Sequence, residues 1–189
     1  MSNFTALYDA CTLYPATTRD LLLWLATTGS FRAKWTAHIH DEWISSLLRK
    51  RPDLRREDLD QVRRLMDAAV PDCIVEGYEA LIAALALPDP KDRHVLAAAI
   101  RGRANVIVTY NLADFPSDTL ATYGLEAQHP DEFVAHLIDL NDHVVLTAVR
   151  KMRANLRAPP VSAEDLIARL EAREFIETAA FLRRALGSF

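Results

Sequence analysis

Cysteine is nearly absent from this chain. Cys11 and Cys73 stand far apart, which excludes both a disulfide framework and a zinc-type spacing and leaves two reduced, buried thiols, as expected of a cytoplasmic protein. Long apolar runs are missing too. The longest, Ala80–Leu87, is far too short to cross a bilayer, so no membrane association is expected. No basic segment precedes an apolar stretch at the N-terminus, so no secretory signal is expected. Internal repeats and low-complexity tracts do not occur. Positive charge is not in surplus: a net charge of −4 argues against a general nucleic-acid coat protein, whose affinity comes from neutralising phosphates. An enzyme that carries acidic metal-holding side chains remains compatible with that balance, provided it has a local basic surface.

What is present is an ordinary globular composition. Half the residues are hydrophobic and a quarter charged, and 189 residues suffice for one domain, or for one domain with an appendage. Residues 89–116 organise the rest. Asp89 suits a helix N-cap and Pro90 the first helical position. Val95, Leu96, Ala99 and Ile100 follow at helical spacing, and Gly102 marks the stop. Val106–Thr109 is β-branched and apolar on both faces, the pattern of a strand covered on both sides. A helix that leads back into a parallel strand begins at the edge where the strands end. Asp92, in the first helical turn, and Asp114, just past the strand, are therefore expected at one carboxyl edge, where open α/β sheets bind ligands.

The remaining chain fits an α/β reading. Thr5–Tyr8 has strand length and is followed at once by Asp9. A helix is expected over 19–26, with Thr17 and Asp20 as a capping box and Gly29 at its end. A second is expected over 34–49, with Trp35, Ile39, Trp43 and Leu47 on one face and Glu42 at its border. Residues 56–69 read as a helix, 73–76 as a strand and 78–85 as a short helix. A short helical piece then ends near Gly124, Glu126–Gln128 is an edge strand, and Pro130 opens a helix through Leu140. Beyond residue 140 the pattern is purely helical: Val144–Leu156, a helix capped by Ser162 with Asp165 three residues on, and a last helix around 176–186. This divides the chain into a sheet domain, 1–140, and a helical extension, 141–189.

Taken singly, each acid has a plain structural reading. Asp92 is placed to satisfy a helix N-terminus, Asp89 is more readily a cap than a ligand, Asp114 can form an Asx-turn, and Glu42 can sit at a helix rim. Their joint placement at one edge favours a site for a hard divalent cation, which takes oxygen ligands and keeps several waters. His38, His40 and His94 show no zinc pattern: His38 and Glu42 lie one turn apart, but the sequence implies no third ligand.

The stretches Leu7-Tyr8-Asp9-Ala10, Asp41-Glu42-Trp43, Asp89–Ala99 and Val108–Pro116, in this order, resemble the PIN-domain ribonucleases, and within them the VapC-type toxins of bacterial toxin–antitoxin pairs. The resemblance covers about residues 4–130. The tail, with Pro159-Pro160-Val161-Ser162 and Phe181–Arg184, resembles the helical extension of a subset of those toxins. It implies a PIN-like three-layer α/β/α fold with a mostly parallel central sheet, and an Mg²⁺- or Mn²⁺-dependent endoribonuclease. Asp9, Glu42, Asp92 and Asp114 would be the catalytic acids. The metal would be held by Asp9, Asp92 and Asp114: Asp9 and Asp114 as direct ligands, Asp92 and Glu42 acting through water. Thr109 and Asn111 would support the site. An RNA substrate, a cognate antitoxin and a homodimer are implied as partners, in the cytoplasm. Arg49, Lys50, Arg51 and Arg55 form the basic run considered for RNA contact. Two departures stand out, Cys11 where Asn or Ser is usual and Asn111 near the place of a second loop aspartate. They keep open a degenerate PIN-like binding module without nuclease activity. A phosphohydrolase using Asp9 as nucleophile would need an acid where Cys11 stands.

Overall fold

The computed structural model describes residues 4–187 and 189. Four strands, Thr5–Tyr8 (β1), Arg32–Lys34 (β2), Val106–Val108 (β3) and Glu126–Gln128 (β4), form one parallel sheet in the order β2-β1-β3-β4. Between β1 and β2 run Ala10–Leu13 (α1) and Ala16–Ala26 (α2). Between β2 and β3 come Ala37–Lys50 (α3), Arg56–Ala69 (α4), Glu79–Ile82 (α5) and Arg93–Arg101 (α6). Ser117–Ala121 (α7) links β3 to β4, and Pro130–Asn155 (α8), Ala163–Glu171 (α9) and Ile176–Arg184 (α10) close the chain.

The two central strands are buried at every residue. Side chains alternate across a strand, so complete burial means that both faces are covered, as in a sheet between two helical layers. The α/β/α expectation with a parallel sheet is met. Because β2 lies on one side of β1, and β3 and β4 on the other, the chain reverses its direction of travel across the sheet between β1 and β3. A crevice opens outside the carboxyl ends of two such strands.

Several boundaries differ from the sequence reading, each for a local reason. Trp35 is not helical. Its N–H donates to the Cys73 carbonyl at 2.9 Å and its carbonyl accepts from Val75, a single parallel bridge in place of the strand expected over 73–76. Helix α3 begins after Thr36, whose hydroxyl accepts from the Ile39 N–H at 3.0 Å, a true N-cap that the apolar four-spacing through Trp35 conceals. Helix α2 begins at Ala16 after Pro15, so Thr17 lies inside it and the Thr17–Asp20 capping box does not form. The helix expected from Asp89 opens with one 3₁₀ turn, Pro90–Asp92, in which the Asp89 carboxylate accepts from the Lys91 N–H at 2.9 Å. Gly102 ends α6 through close packing and not through left-handed backbone: an added Cβ would come within 3.0 Å of both the Ala98 carbonyl oxygen and Val75 Cγ2.

The helices expected over 130–140 and 144–156 are both present within α8, parted at Asn141, whose extended φ/ψ of −166°/92° breaks the helix between them. The first half belongs to the core around the sheet, where Phe133 meets Phe31 edge-on at 5.1 Å and Tyr8 at 6.3 Å. Helix α9 is capped by Ser162 as expected, its hydroxyl accepting from the Asp165 N–H at 3.0 Å. The start of α10 is fastened to α8 by the buried Asp131 carboxylate. It accepts from the Glu177 and Thr178 N–H groups at 2.8 and 3.0 Å and from the Thr178 hydroxyl at 2.6 Å. Among the described residues no helix is long and apolar enough to cross a membrane.

Candidate metal centre and acidic cleft

Asp9 ends β1 and caps α1. It is 6% exposed, and donors surround it: the Ala10 N–H on Oδ1 at 2.6 Å, and on Oδ2 the Thr109 hydroxyl at 2.8 Å and the Cys11 thiol at 3.1 Å. Thr109 directly follows β3, so the Asp9–Thr109 hydrogen bond spans the crevice between the two central strands. A carboxylate offers about four acceptor directions. Two are filled on Oδ2 and one on Oδ1, which leaves one unfilled. Burial raises the Asp9 carboxyl above its usual range; the donors oppose that shift, and the charge of Glu42 adds to it.

Asp92 closes the 3₁₀ turn before α6 and makes no side-chain cap hydrogen bond, so the plain capping reading does not hold for it. Its carboxyl is pushed up to about 6, first by burial, then by the charges of Asp9, Asp114 and Asp89, with His94 opposing. Asp9 and Asp114, 105 positions apart in the sequence, therefore act on the same third carboxyl. That is the electrostatic signature of acids gathered at one edge.

A cleft of about 390 Å³ opens here, lined by Asp9, Cys11, Glu42, Asp92 and Asn111 on its acidic and polar side and by Arg49 and Lys50 on its basic side. Asp114, half-buried in the turn Leu112–Asp114, stands outside this lining. Asn111 donates its N–H to the Thr109 hydroxyl at 3.0 Å, which holds the loop against the residue that orients Asp9. Lys50 lies over the Tyr14 ring at 5.4 Å. Arg51 and Arg55 are outside this lining and form exposed ion pairs with Asp53 and Asp58.

Three features escape the sequence reading. Cys11 is part of the site: besides meeting Asp9, its sulfur lies 3.3 Å from the Thr109 hydroxyl and accepts from the Tyr110 N–H at 3.3 Å. Burial and the neighbouring Asp9 charge push its thiol well above the ordinary range, so it stays protonated. Glu42 does not face the other acids alone. Its Oε1 lies 3.1 Å from His94 Nε2 and 3.9 Å from His38 Nε2, and the two imidazoles stack at 4.0 Å. The Tyr110 phenol, next to Asn111, donates to the Arg173 carbonyl at 3.2 Å and accepts from the Thr18 hydroxyl at 2.8 Å. Apart from the local pairs Cys11–Asp9 and His38–Glu42, no spacing in the sequence signals these contacts, because each joins segments brought together only by the fold. His40, by contrast, is a satisfied core residue. Its Nδ1 accepts from the Trp43 indole at 3.0 Å, so its Nε2 carries the proton and donates to Asp67 at 2.9 Å.

Among the described residues, the one group of three or more His, Cys, Asp or Glu side chains whose ligand atoms all lie within 4.8 Å of one another is His38, Glu42 and His94. Asp9, Asp92 and Asp114 are more widely spread. A hard cation that retains several waters tolerates such a spread, because part of the coordination is bridged. The donor set fits Mg²⁺ or Mn²⁺, being all oxygen and acidic.

Residues 5–113 match the PIN domain family model, and residues 130–184 match the VapC50 C-terminal domain model. "Putative ribonuclease VapC50" of Mycobacterium tuberculosis (strain ATCC 25618 / H37Rv) is 44% identical over 91 residues, which cover 48% of this chain and 53% of that protein. The match thus spans about half the length of this curated relative. No solved structure matches the chain.

Proposed function

Because the chain belongs to the PIN-domain family, we propose that it is a metal-dependent endoribonuclease of the VapC toxin type, cleaving RNA phosphodiesters in its acidic cleft. The observation that carries this reading is the convergence of Asp9 and Asp114 on Asp92, whose carboxyl is pushed up to about 6 by burial first and by those charges next. A site that opposes its own ionisation is one that asks for positive charge. When bound by Asp9, Asp92 and Asp114, Mg²⁺ or Mn²⁺ would supply Lewis acidity to the phosphate and lower the pKa of an attacking water.

The chain's own residues do the rest. Thr109 and Cys11 fix the Asp9 carboxylate in one orientation at the wall of the cleft. Asp92 and Glu42, which line the same cleft, would orient the nucleophile and take up its proton. Arg49 and Lys50, across the cleft, offer charge to the RNA backbone without reading its sequence. A homodimer in the cytoplasm, held inactive by a cognate antitoxin segment laid over this cleft, completes the proposal, as does the division of the chain into a catalytic part, 1–140, and a helical part, 141–189.

The test is incubation of the pure protein with total RNA, with and without Mn²⁺, beside Asp9→Asn. Cleavage that needs Mn²⁺ and disappears in the variant supports the reading; unchanged cleavage by the variant overturns it. Two observations favour the second reading, a PIN-like binding module without activity: Glu42 is engaged by His94, and the acids are spread. Calorimetry with Mn²⁺ separates the two, since a decayed site takes up no ion.

A further inference from the structure

The tightest cluster of three metal-ligating side chains among the described residues is not all-oxygen, and only Glu42 in it belongs to the expected acids. His38 and Glu42 lie one turn apart on α3, and His94 reaches them from the first turn of α6. We propose that His38, Glu42 and His94 form a separate site for a borderline transition-metal ion of the Zn²⁺ class, and that its occupancy withdraws Glu42 from the acidic cleft.

The separations suit such an ion, and His38, whose ring stacks on that of His94 at 4.0 Å, must turn for both lone pairs to meet it. Metal–ligand lengths of about 2.0–2.1 Å in a tetrahedron place neighbouring ligand atoms about 3.3 Å apart. The Glu42–His94 and Glu42–His38 separations of 3.1 and 3.9 Å bracket that value. The chemistry discriminates as well. Two imidazoles and one carboxylate favour Zn²⁺ and its neighbours in the transition series, whereas Mg²⁺ takes oxygen and water. Three protein ligands leave a fourth position for water.

The burial pattern gives the site an anchor and an entrance. The side chain of His94 is 4% exposed and that of His38 52%, so one ligand is fixed and the other can swing in behind an arriving ion. The buried Nδ1 of His94 meets no protein hydrogen-bond partner. Turning Nε2 from a donor toward Glu42 into a metal ligand moves the ring proton to Nδ1, where no protein group accepts it, so the bond to the ion must outweigh one unpaired buried N–H. In the ion's absence, the Glu42–His94 contact keeps the carboxylate on the rim shared by both sites.

The binding half of the proposal is independent of nuclease activity, and the inhibition half rests on the proposed function. Titration of the full-length protein with ZnCl₂ in a calorimeter, free of other divalent ions, separates them. One Zn²⁺ per chain is expected, weakened about tenfold or more in His38→Ala, since even outer-shell partners of a metal are worth that much. Asp114→Asn should bind Zn²⁺ as the parent does. Where the protein cleaves RNA, the Zn²⁺ concentration that halves Mn²⁺-dependent cleavage should rise by the same factor in His38→Ala, each protein being compared with its own zinc-free rate. No Zn²⁺ uptake by the parent overturns the site. So does uptake unaffected by His38→Ala but lost in Asp114→Asn, which would place the ion among the acids. Zn²⁺ uptake that depends on His38 in a protein inert toward RNA upholds the site while removing the nuclease reading.

Discussion

Replacing Asp92 by asparagine should stabilise the metal-free protein at alkaline pH and leave it unchanged in acid. The Asp92 carboxyl sits at about 6, against an ordinary 3.8, because it is partly buried and faces Asp9, Asp114 and Asp89. A folded-state pKa above the unfolded one means that the proton stabilises the fold. That contribution is fully present below about pH 4 and is lost as pH rises through about 6. Fully desolvated, the difference is worth about 3 kcal/mol at 1.36 kcal/mol per pH unit; water at the open mouth of the cleft screens it to about 1 kcal/mol. Asparagine carries no charge to lose. Its chain should melt about 2–4 °C above the parent near pH 8 in chelator, with the gap closing below about pH 4.5. Adding Mn²⁺ should shrink or reverse the gap, because the parent then gains binding free energy that the variant gains less of. Calorimetric melts across this pH range provide the measurement. A variant that melts at or below the parent near pH 8, or that differs from it equally at every pH, would refute the idea of mutually repelling acids.

Three further outcomes follow from the packing. Asp131→Ala should cost about 2–4 kcal/mol in denaturant unfolding, since it strips three hydrogen bonds from a buried charged acceptor and orphans two backbone donors at the start of α10; a loss below 1 kcal/mol would count against that fastening. Gly102→Ala should destabilise by about 1 kcal/mol despite alanine's better helix propensity, because the new methyl meets the Ala98 carbonyl and Val75; increased stability would show that the neighbours yield. Arg49→Ala with Lys50→Ala should weaken RNA binding and flatten its salt dependence, by about one phosphate contact for each cation removed, with Arg55→Ala as the near-silent control; an unchanged salt slope would place the RNA elsewhere.

Much of the fold could be read from the chain because its central elements are locally self-consistent. Thr5–Tyr8, Arg56–Ala69 and the Ser162 cap fall where their patterns place them. β2 escaped notice because Arg32-Ala33-Lys34 is three residues long with cations at both ends, the profile of an exposed segment, and it becomes a strand only by pairing with β1. Trp35 misled because an apolar residue four before Ile39 satisfies helical periodicity even when Thr36 has already set the boundary. At the site, Asp9, Asp92 and Asp114 were legible because each sits at an element end, and topology alone carries element ends to a common rim. The meeting of His38 with His94, and of Cys11 with Thr109, depends on side-chain direction across α3, α6 and β3, for which one sequence offers no periodic signal.

The Tyr110 phenol has a consequence that reaches past the cleft. Its oxygen touches α2 through Thr18 and the turn after α9 through the Arg173 carbonyl, while its backbone adjoins Asn111. One hydroxyl thus pins three segments from distant parts of the polymer, and the loop bearing Asn111 and Asp114 leans on the tail for its position. Loosening the terminal helices would be felt at the acids without altering a single acidic residue, and a phenylalanine at position 110 is the smallest change that cuts this link.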